Sequence, residues 1–340
     1  MDDRAVERVG ENLNRGLATL LAERPDLFLI GEDIVDPYGG AFGVTRRLST
    51  THPGRVLSTP ISEQAILGFA VGLALRGREA VVEVMFSDFA TLCFDQIVNL
   101  ASKVVSMYGQ SVRMPVVIRC PTGGRRGYGP THSQSLQKHF VGIPNLAVYE
   151  MSPVHDGHAT LARILDSAAP AMYFEDKVLY GRRRFGAATG DELFHCARIG
   201  GDCDFAVLGI HGVDAVDVVV IAPGGLTGRV LGAMRGAYLG AETAVRAVVP
   251  SRLYPFDPTP LAPLVAQARR VVVVEDATAG GVWGAEVAHT IHQNMWELLS
   301  QPVHLLHAPS RAIPAAPHLE RAVLVQEDDI RAMVTAVAGG

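Results

Sequence analysis

The chain has 340 residues, of which 48% are hydrophobic and 19% charged, with a net charge of −5. That length holds two domains of ordinary size, and the apolar content supplies a substantial core and excludes wholesale disorder. No basic excess points to nucleic acid or to an anionic membrane surface, and the short cluster Arg182-Arg183-Arg184 reads as solvated surface.

The N-terminal stretch MDDRAVERVGENLNRGLATLL is acidic and amphipathic. It lacks the basic start and apolar stretch of a secretory signal. Its spacing predicts a helix over residues 5–23, stopped by Pro25. No uninterrupted apolar run approaches the roughly 20 residues that span a bilayer. Cys93, Cys120, Cys196 and Cys203 form no C-x-x-C pair and read as small core residues. A soluble, reducing, cytoplasmic setting is expected.

Phe28 to Ile30 predict a short strand before Gly31-Glu32-Asp33. Residues 64–77 predict a buried helix ended by Gly77, REAVVEVMF a strand, and residues 88–108 a long helix ending near Gly109. MPVVIRC is a continuous apolar run, which suits a strand covered on both faces. The segment PTGGRRGYGPTHSQS (121–135) is crowded with turn formers and has no periodicity. A loop of this kind directly after a buried strand is a natural place for function. Strand NLAVYEM, a helix over 156–168 and strand AMYFED follow.

Residues 182–203 turn charged and glycine-rich, which places a boundary there. The expected domains are 1–185 and 205–340, joined by a linker over 186–204. The second half restarts with VDVVVIAPG, a helix over 228–239, strand AVRAVVP, a helix over 261–268, strand VVVVED, a helix over 284–299 and strand PVHLLHAP. Alternation of this kind predicts α/β architecture with largely parallel sheets, the second unit smaller than the first.

Several chemistries lack their motif. There is no G-x-x-x-x-G-K-[ST], no H-E-x-x-H and no tight His/Cys cluster. PGGLTG follows a strand but lacks dinucleotide-binding spacing. Taken singly, the remaining candidates are ambiguous. Glu63 opens a helix after Thr59-Pro60-Ile61-Ser62, where a carboxylate is favoured by the exposed N–H groups alone. His132 sits in the glycine-rich loop, where a histidine is a candidate acid–base group, yet loop order alone also explains it. Phe86 and Phe89 stand at helix-start spacing and read as core or as ligand contacts.

Read together, GEDI (31–34), GGAFGVT (39–45), TPISEQAILGFAVGLAL (59–75), EVMFSDFATLCFDQIVNLASK (83–103), GYGPTHSQS (127–135), RLYPFD (252–257) and VEDATAGGVWGAEVA (274–288) resemble the β subunits of 2-oxo acid dehydrogenase decarboxylases, relatives of transketolase. The resemblance runs from Glu11 to about Glu320. It implies a pyrimidine-binding, transketolase-like domain with a parallel sheet, then a smaller α/β transketolase C-terminal domain. It implies thiamine diphosphate as cofactor. Glu63 then matches the glutamate that exchanges a proton with the aminopyrimidine, Phe89 the aromatic that stacks on it, and His132 a group facing substrate. Ile61 and Phe86 lie in the matching segments as further cofactor contacts.

Relatives hold the diphosphate and magnesium through a G-D-G segment with an asparagine some way on; this chain has no GDG, and its only asparagine after residue 145 is Asn294. The resemblance therefore implies an α-type partner carrying diphosphate, magnesium and much of the substrate pocket, with a second β chain in an α₂β₂ assembly. No metal ligand is assigned to this chain. The family's A-x-D-x-P-I-P is Ala308-Pro309-Ser310-Arg311-Ala312-Ile313-Pro314 here, without the aspartate and one proline. That segment lies in the domain relatives use to dock an acyltransferase. Two functional readings stay open: transfer of the acyl group to a lipoyl carrier, or transfer of an acyl or ketol unit to a small acceptor. A catalytically silent assembly subunit is a third, and the presence of Glu63, Phe89 and His132 argues against it.

Overall fold

Val9, Leu13, Leu17, Leu20 and Leu21 draw one apolar stripe along α1 (Val9–Glu23), and all five are buried. The helix ends where Arg24, forced away from helical geometry by Pro25, adopts an extended conformation. The computed structural model describes residues 7–185, 193–201 and 204–340; Cys203 lies outside them. The chain divides into two compact units. The first is Met1–Thr122, His139–Met151 and His155–Arg184; the second is Gly123–Lys138, Ser152–Val154 and Phe185–Gly340. The glycine-rich loop, expected within 1–185, thus folds with the second unit.

In the first unit, β1 (Leu27–Gly31), β2 (Val56–Ser58), β3 (Glu79–Glu83), β4 (Val116–Thr122), β5 (Ala147–Glu150) and β6 (Ala171–Asp176) follow the order β5-β6-β4-β3-β1-β2. All their mutual pairings are parallel. Every residue of β4 is buried, Arg119 included, as in a strand covered on both faces. The helices are α1, α2 (Leu48–Thr51), α3 (Glu63–Leu75), the short α4 (Ser102–Val104) and α5 (Gly157–Asp166). Asn12 ties α1 to α5: its Oδ1 accepts from Gly157 N at 2.7 Å, and its Nδ2 donates to Asp156, the N-cap of α5, at 2.9 Å.

Two expectations change here. The helix expected over 88–108 winds as a 3₁₀ segment (Ser87–Cys93), a π-helical segment (Gln96–Ala101) and then α4. Ala90, Cys93, Ile97, Ala101 and Val104 still make one buried face, so the periodicity is legible although the pitch is not. The helix expected to be buried, α3, covers only one side: Ile66, Leu67, Ala70, Val71 and Ala74 are buried, while Phe69 and Leu75 are 53% and 50% exposed.

In the second unit, β7 (Phe194–Ile199), β8 (Phe205–Ile210), β9 (Val218–Ile221), β10 (Val245–Pro250), the short β11 (Arg252–Tyr254), β12 (Val271–Thr278) and β13 (His304–Ala308) come in sequence. Six of them form a sheet in the order β13-β12-β9-β10-β8-β7. β8 runs antiparallel to both β10 and β7. The expected linker over 186–204 therefore contains a strand, and the sheet is mixed, not wholly parallel. A connection as short as 200–204 permits only an antiparallel return. The helices are α6 (Thr227–Ala241), α7 (Ala262–Ala268), α8 (Trp283–Met295), α9 (Pro317–Val323) and α10 (Glu327–Gly339). Valines of β9 and β12 pack with Val230 and Met234 of α6 and with Ile330 and Val334 of α10. The segment over 280–288 buries Val282, Trp283, Val287 and Ala288.

Glu275, near the end of β12, accepts from Gly284 N at 2.5 Å and Trp283 N at 3.3 Å and so closes the start of α8. Burial pushes its carboxyl up from 4.5 to about 7, against the pull of those N–H donors and of His307 and Lys138. The folded chain thus holds a proton that the unfolded chain releases, and this group's stabilising contribution is lost as pH rises between those values. Glu275→Gln should remove the effect. From pH about 4.5 to pH about 8 the variant should gain on wild type by up to about 3 kcal/mol in urea unfolding. Parallel stability–pH curves for the two proteins would show that Glu275 stays ionised.

Candidate active site

In an open parallel sheet, ligands bind beyond the carboxyl ends of the strands. Register sets Gly31 of β1 beside Ser58 of β2 and Glu83 of β3. The segments that leave these three strands, Glu32-Asp33, Thr59 to Glu63 and Met85 to Phe89, therefore depart from adjacent strand ends. About thirty residues of sequence separate Glu32 from Glu63, and strand pairing removes that distance.

Glu63 is the first residue of α3 and is 7% exposed. A first-turn carboxylate serving only its helix would face water; this one faces the interior. Its charge is felt by two buried groups. Burial, and then the charge of Glu63, pushes the Glu32 carboxyl above its ordinary value, with the Ser62 backbone opposing. Burial, and then Glu63, pushes the Cys93 thiol up to about 12, which keeps it an inert core residue. Glu32 also carries a buried Oε1 that has no hydrogen-bond partner among the described residues. A buried pair of carboxyl groups with a free acceptor suits a ligand nitrogen that carries or takes a proton.

The turn Ser87–Cys93 packs against α3. Phe86 and Phe89 stand edge to face with centroids 5.8 Å apart. Phe42 meets Phe86 edge-on at 6.5 Å and stacks on Tyr180 at 4.9 Å. The Lys177 ammonium lies 5.0 Å from the Phe86 centroid. Ile61 is 82% exposed, a high value for an aliphatic side chain two residues from a buried glutamate. These residues offer an aromatic wall, an open aliphatic surface and a buried carboxyl, and they fit a flat heteroaromatic ring.

A buried ion network underlies this edge. Arg119, fully buried on β4, bonds Glu175 through Nε and Nη2, both at 2.7 Å, and also pairs with Glu83. Glu83 accepts from Ala41 N at 2.6 Å, and Tyr180 donates to Glu175 at 2.5 Å. The GGAFGVT loop is therefore held from below by Glu83, with Phe42 in a left-handed conformation (φ 57°). The motifs GEDI and GGAFGVT mark this edge in the sequence, but they do not single out Glu32, Phe42, Lys177 or Arg119. The signal for Glu32 and Arg119 is a charged residue at or beside a buried strand, which has no meaning until its partner is known.

His132 belongs to the second unit. It is half-buried, its Nδ1 lies 2.9 Å from Thr131 Oγ1, and its backbone N–H donates to Gly129 O at 3.3 Å. Positive φ at Gly123, Arg125, Gly127 and Gly129 shapes its loop. At the loop's far end, Lys138 Nζ donates to Thr278 O at 2.7 Å and Gly280 O at 2.8 Å.

The profile of the transketolase pyrimidine binding domain matches residues 8–182, and that of the transketolase C-terminal domain matches residues 212–330. The chain is 31% identical over 318 residues to the acetoin:2,6-dichlorophenolindophenol oxidoreductase subunit beta of Cupriavidus necator, covering 91% of this chain and 90% of that one. It is 30% identical over 327 residues to the mitochondrial pyruvate dehydrogenase E1 component subunit beta-2 of Oryza sativa subsp. japonica (95% and 84% covered). It is 31% identical over 295 residues to the corresponding subunit of Leifsonia xyli subsp. xyli (86% and 83%). Among solved structures, a split-gene transketolase described as an inactive β4 tetramer shares the fold, with TM-score 0.73, 19% identity, and 98% and 99% coverage.

Proposed function

The chain belongs to the transketolase family, with a pyrimidine-binding domain followed by a C-terminal domain, and we propose that it is the β-type half of a thiamine-diphosphate-dependent 2-oxo acid dehydrogenase. The observation that carries this reading is the buried carboxyl of Glu63 beside the aromatic wall at the carboxyl edge of β1, β2 and β3. When bound, the cofactor supplies an electron sink that makes loss of carbon dioxide from a 2-oxo acid feasible. The chain's own residues do the rest. Glu63 holds and returns a proton at the pyrimidine's ring nitrogen. Phe89 stacks on the ring, while Phe86 and Ile61 close its flanks. Glu32, whose carboxyl burial and the charge of Glu63 push above its ordinary value, stands beside it with a buried oxygen open to the ligand. His132 serves the substrate side, holding a proton for the oxygen that gains charge.

The diphosphate and magnesium fall to an α-type partner, since the chain has no GDG segment. The exposed half of α3 supports association: it is apolar on every side yet covered on one only, and Gly68 and Gly72 leave open space where a neighbouring helix can approach. An α₂β₂ assembly covers it. The acyl acceptor is a lipoyl carrier in this reading. Loss of the aspartate and one proline from residues 308–314 favours, as the second reading, a small-molecule acceptor.

The test is calorimetric titration with magnesium and thiamine diphosphate, first on the purified chain and then on the chain co-expressed with an α-type partner. Binding and decarboxylation should appear only with the partner. Micromolar cofactor binding by the chain alone would place the diphosphate site within it and overturn the assignment.

A further inference from the structure

One buried carboxylate has no part in that chemistry. Glu320, on α9 and 3% exposed, sits where a C-terminal helix meets the glycine-rich loop. Its Oε1 accepts from Arg125 N at 2.7 Å and its Oε2 from Gly127 N at 3.2 Å. Both donors are loop backbone, in positions of positive φ. The surrounding contacts are tight. A Cβ on Gly124 would lie 2.7 Å from Leu324 Cδ1 and 3.0 Å from Glu320 Oε1, and one on Gly127 would lie 3.0 Å from Ala315 O. Ile313, Val323 and Leu324 form a small buried cluster of their own. Val325 is fixed in turn: its N–H donates to Asp276 Oδ1 at 3.2 Å, and Asp276 is paired with Arg229.

We propose that residues 313–324 form a strap over the glycine-rich loop and that Glu320 is a positioning residue for His132. One carboxylate bonding two alternate N–H groups fixes the backbone of Arg125 to Gly127, and so limits the paths open to residues 128–132. The catalytic part of the proposal rests on the substrate-side role proposed for His132; the ordering part does not.

Limited trypsin digestion of the full-length chain reads the ordering directly, because Arg125 and Arg126 are cleavage sites inside the clamped stretch. Glu320→Ala should raise the rate of cleavage after these two arginines by about tenfold or more, since cleavage follows the open population and two charge-assisted bonds are lost. Cleavage elsewhere should be unchanged. Glu320→Gln keeps the shape and one acceptor, so it should fall between the two, and it answers the question if the alanine variant fails to fold. In the complex with an α-type partner, both variants should lower kcat for acyl transfer while hydrogen–deuterium exchange at the cofactor's C2 stays at the wild-type rate. Wild-type cleavage after Arg125 and Arg126 in Glu320→Gln and in any folded Glu320→Ala overturns the strap. His132→Ala separates the two claims: it should lose roughly tenfold or more in turnover. Full turnover in His132→Ala, with faster cleavage in the Glu320 variants, would keep the strap and remove the catalytic role of the histidine.

Discussion

Glu63→Gln in the assembled enzyme should lower turnover by roughly 10²–10⁴, the range that a positioned acid–base group contributes. Gln is nearly isosteric and still hydrogen-bonds, so fold and partner binding should survive. It cannot exchange the proton. The barrier should rise by about 3–5 kcal/mol, at about 1.4 kcal/mol per decade. A carboxylate that merely serves the start of α3 predicts a different result, a stability loss of about 0.3–1 kcal/mol and near-normal turnover. Burial already weighs against that alternative, because a helix-start carboxylate has no need to face Glu32 and Cys93. Hydrogen–deuterium exchange at thiamine C2 and steady-state turnover decide between them. If both stay within about threefold of wild type, well below the acid–base range, Glu63 is not the proton carrier.

Arg119→Met should cost about 3–5 kcal/mol of stability at neutral pH, because it leaves buried carboxylates without their cation. Arg119, Glu83 and Glu175 are essentially inaccessible to solvent, so screening does not soften the loss. Burial already pushes the Glu83 carboxyl up, with Arg119 opposing. Without the arginine it should rise further, and the variant should take up protons on folding. Its deficit should therefore shrink as pH falls, opposite to a simple cavity effect, which is flat with pH. The triple variant Arg119→Met, Glu83→Gln, Glu175→Gln should recover most of the loss, since a buried ion group replaced as a set is often near neutral. Urea unfolding at two pH values checks both statements. A deficit below about 1 kcal/mol, or one that grows on acidification, would mean that the network contributes through shape and not through charge. The GGAFGVT loop is a local reporter, because Glu83 holds Ala41 and Tyr180 supports Phe42.

The stripe of α1, the largely apolar stretch of β4 and the alternation of strands and helices are short-range patterns, legible in the amino-acid sequence by itself, and the folded chain keeps them with ends moved by a few residues. The segments around Glu63 and Phe89 are legible too, by resemblance to a family. Four things are not. Strand order places Glu32 beside Glu63, and no local pattern encodes which parallel strands pair. Arg119, Glu83 and Glu175 read as charges misplaced in strands until their pairing shows one guanidinium shared by two carboxyl groups. The glycine-rich loop follows a strand of the first unit, yet Glu320, nearly two hundred residues on, is what holds it. The return of β8 against β10 and β7 depends on a connection hidden in a charged stretch. Periodicity reports which side of an element avoids water, a property of neighbours in sequence. Register, ion pairing and loop capture are contacts between distant segments, and only the folded chain sets those distances.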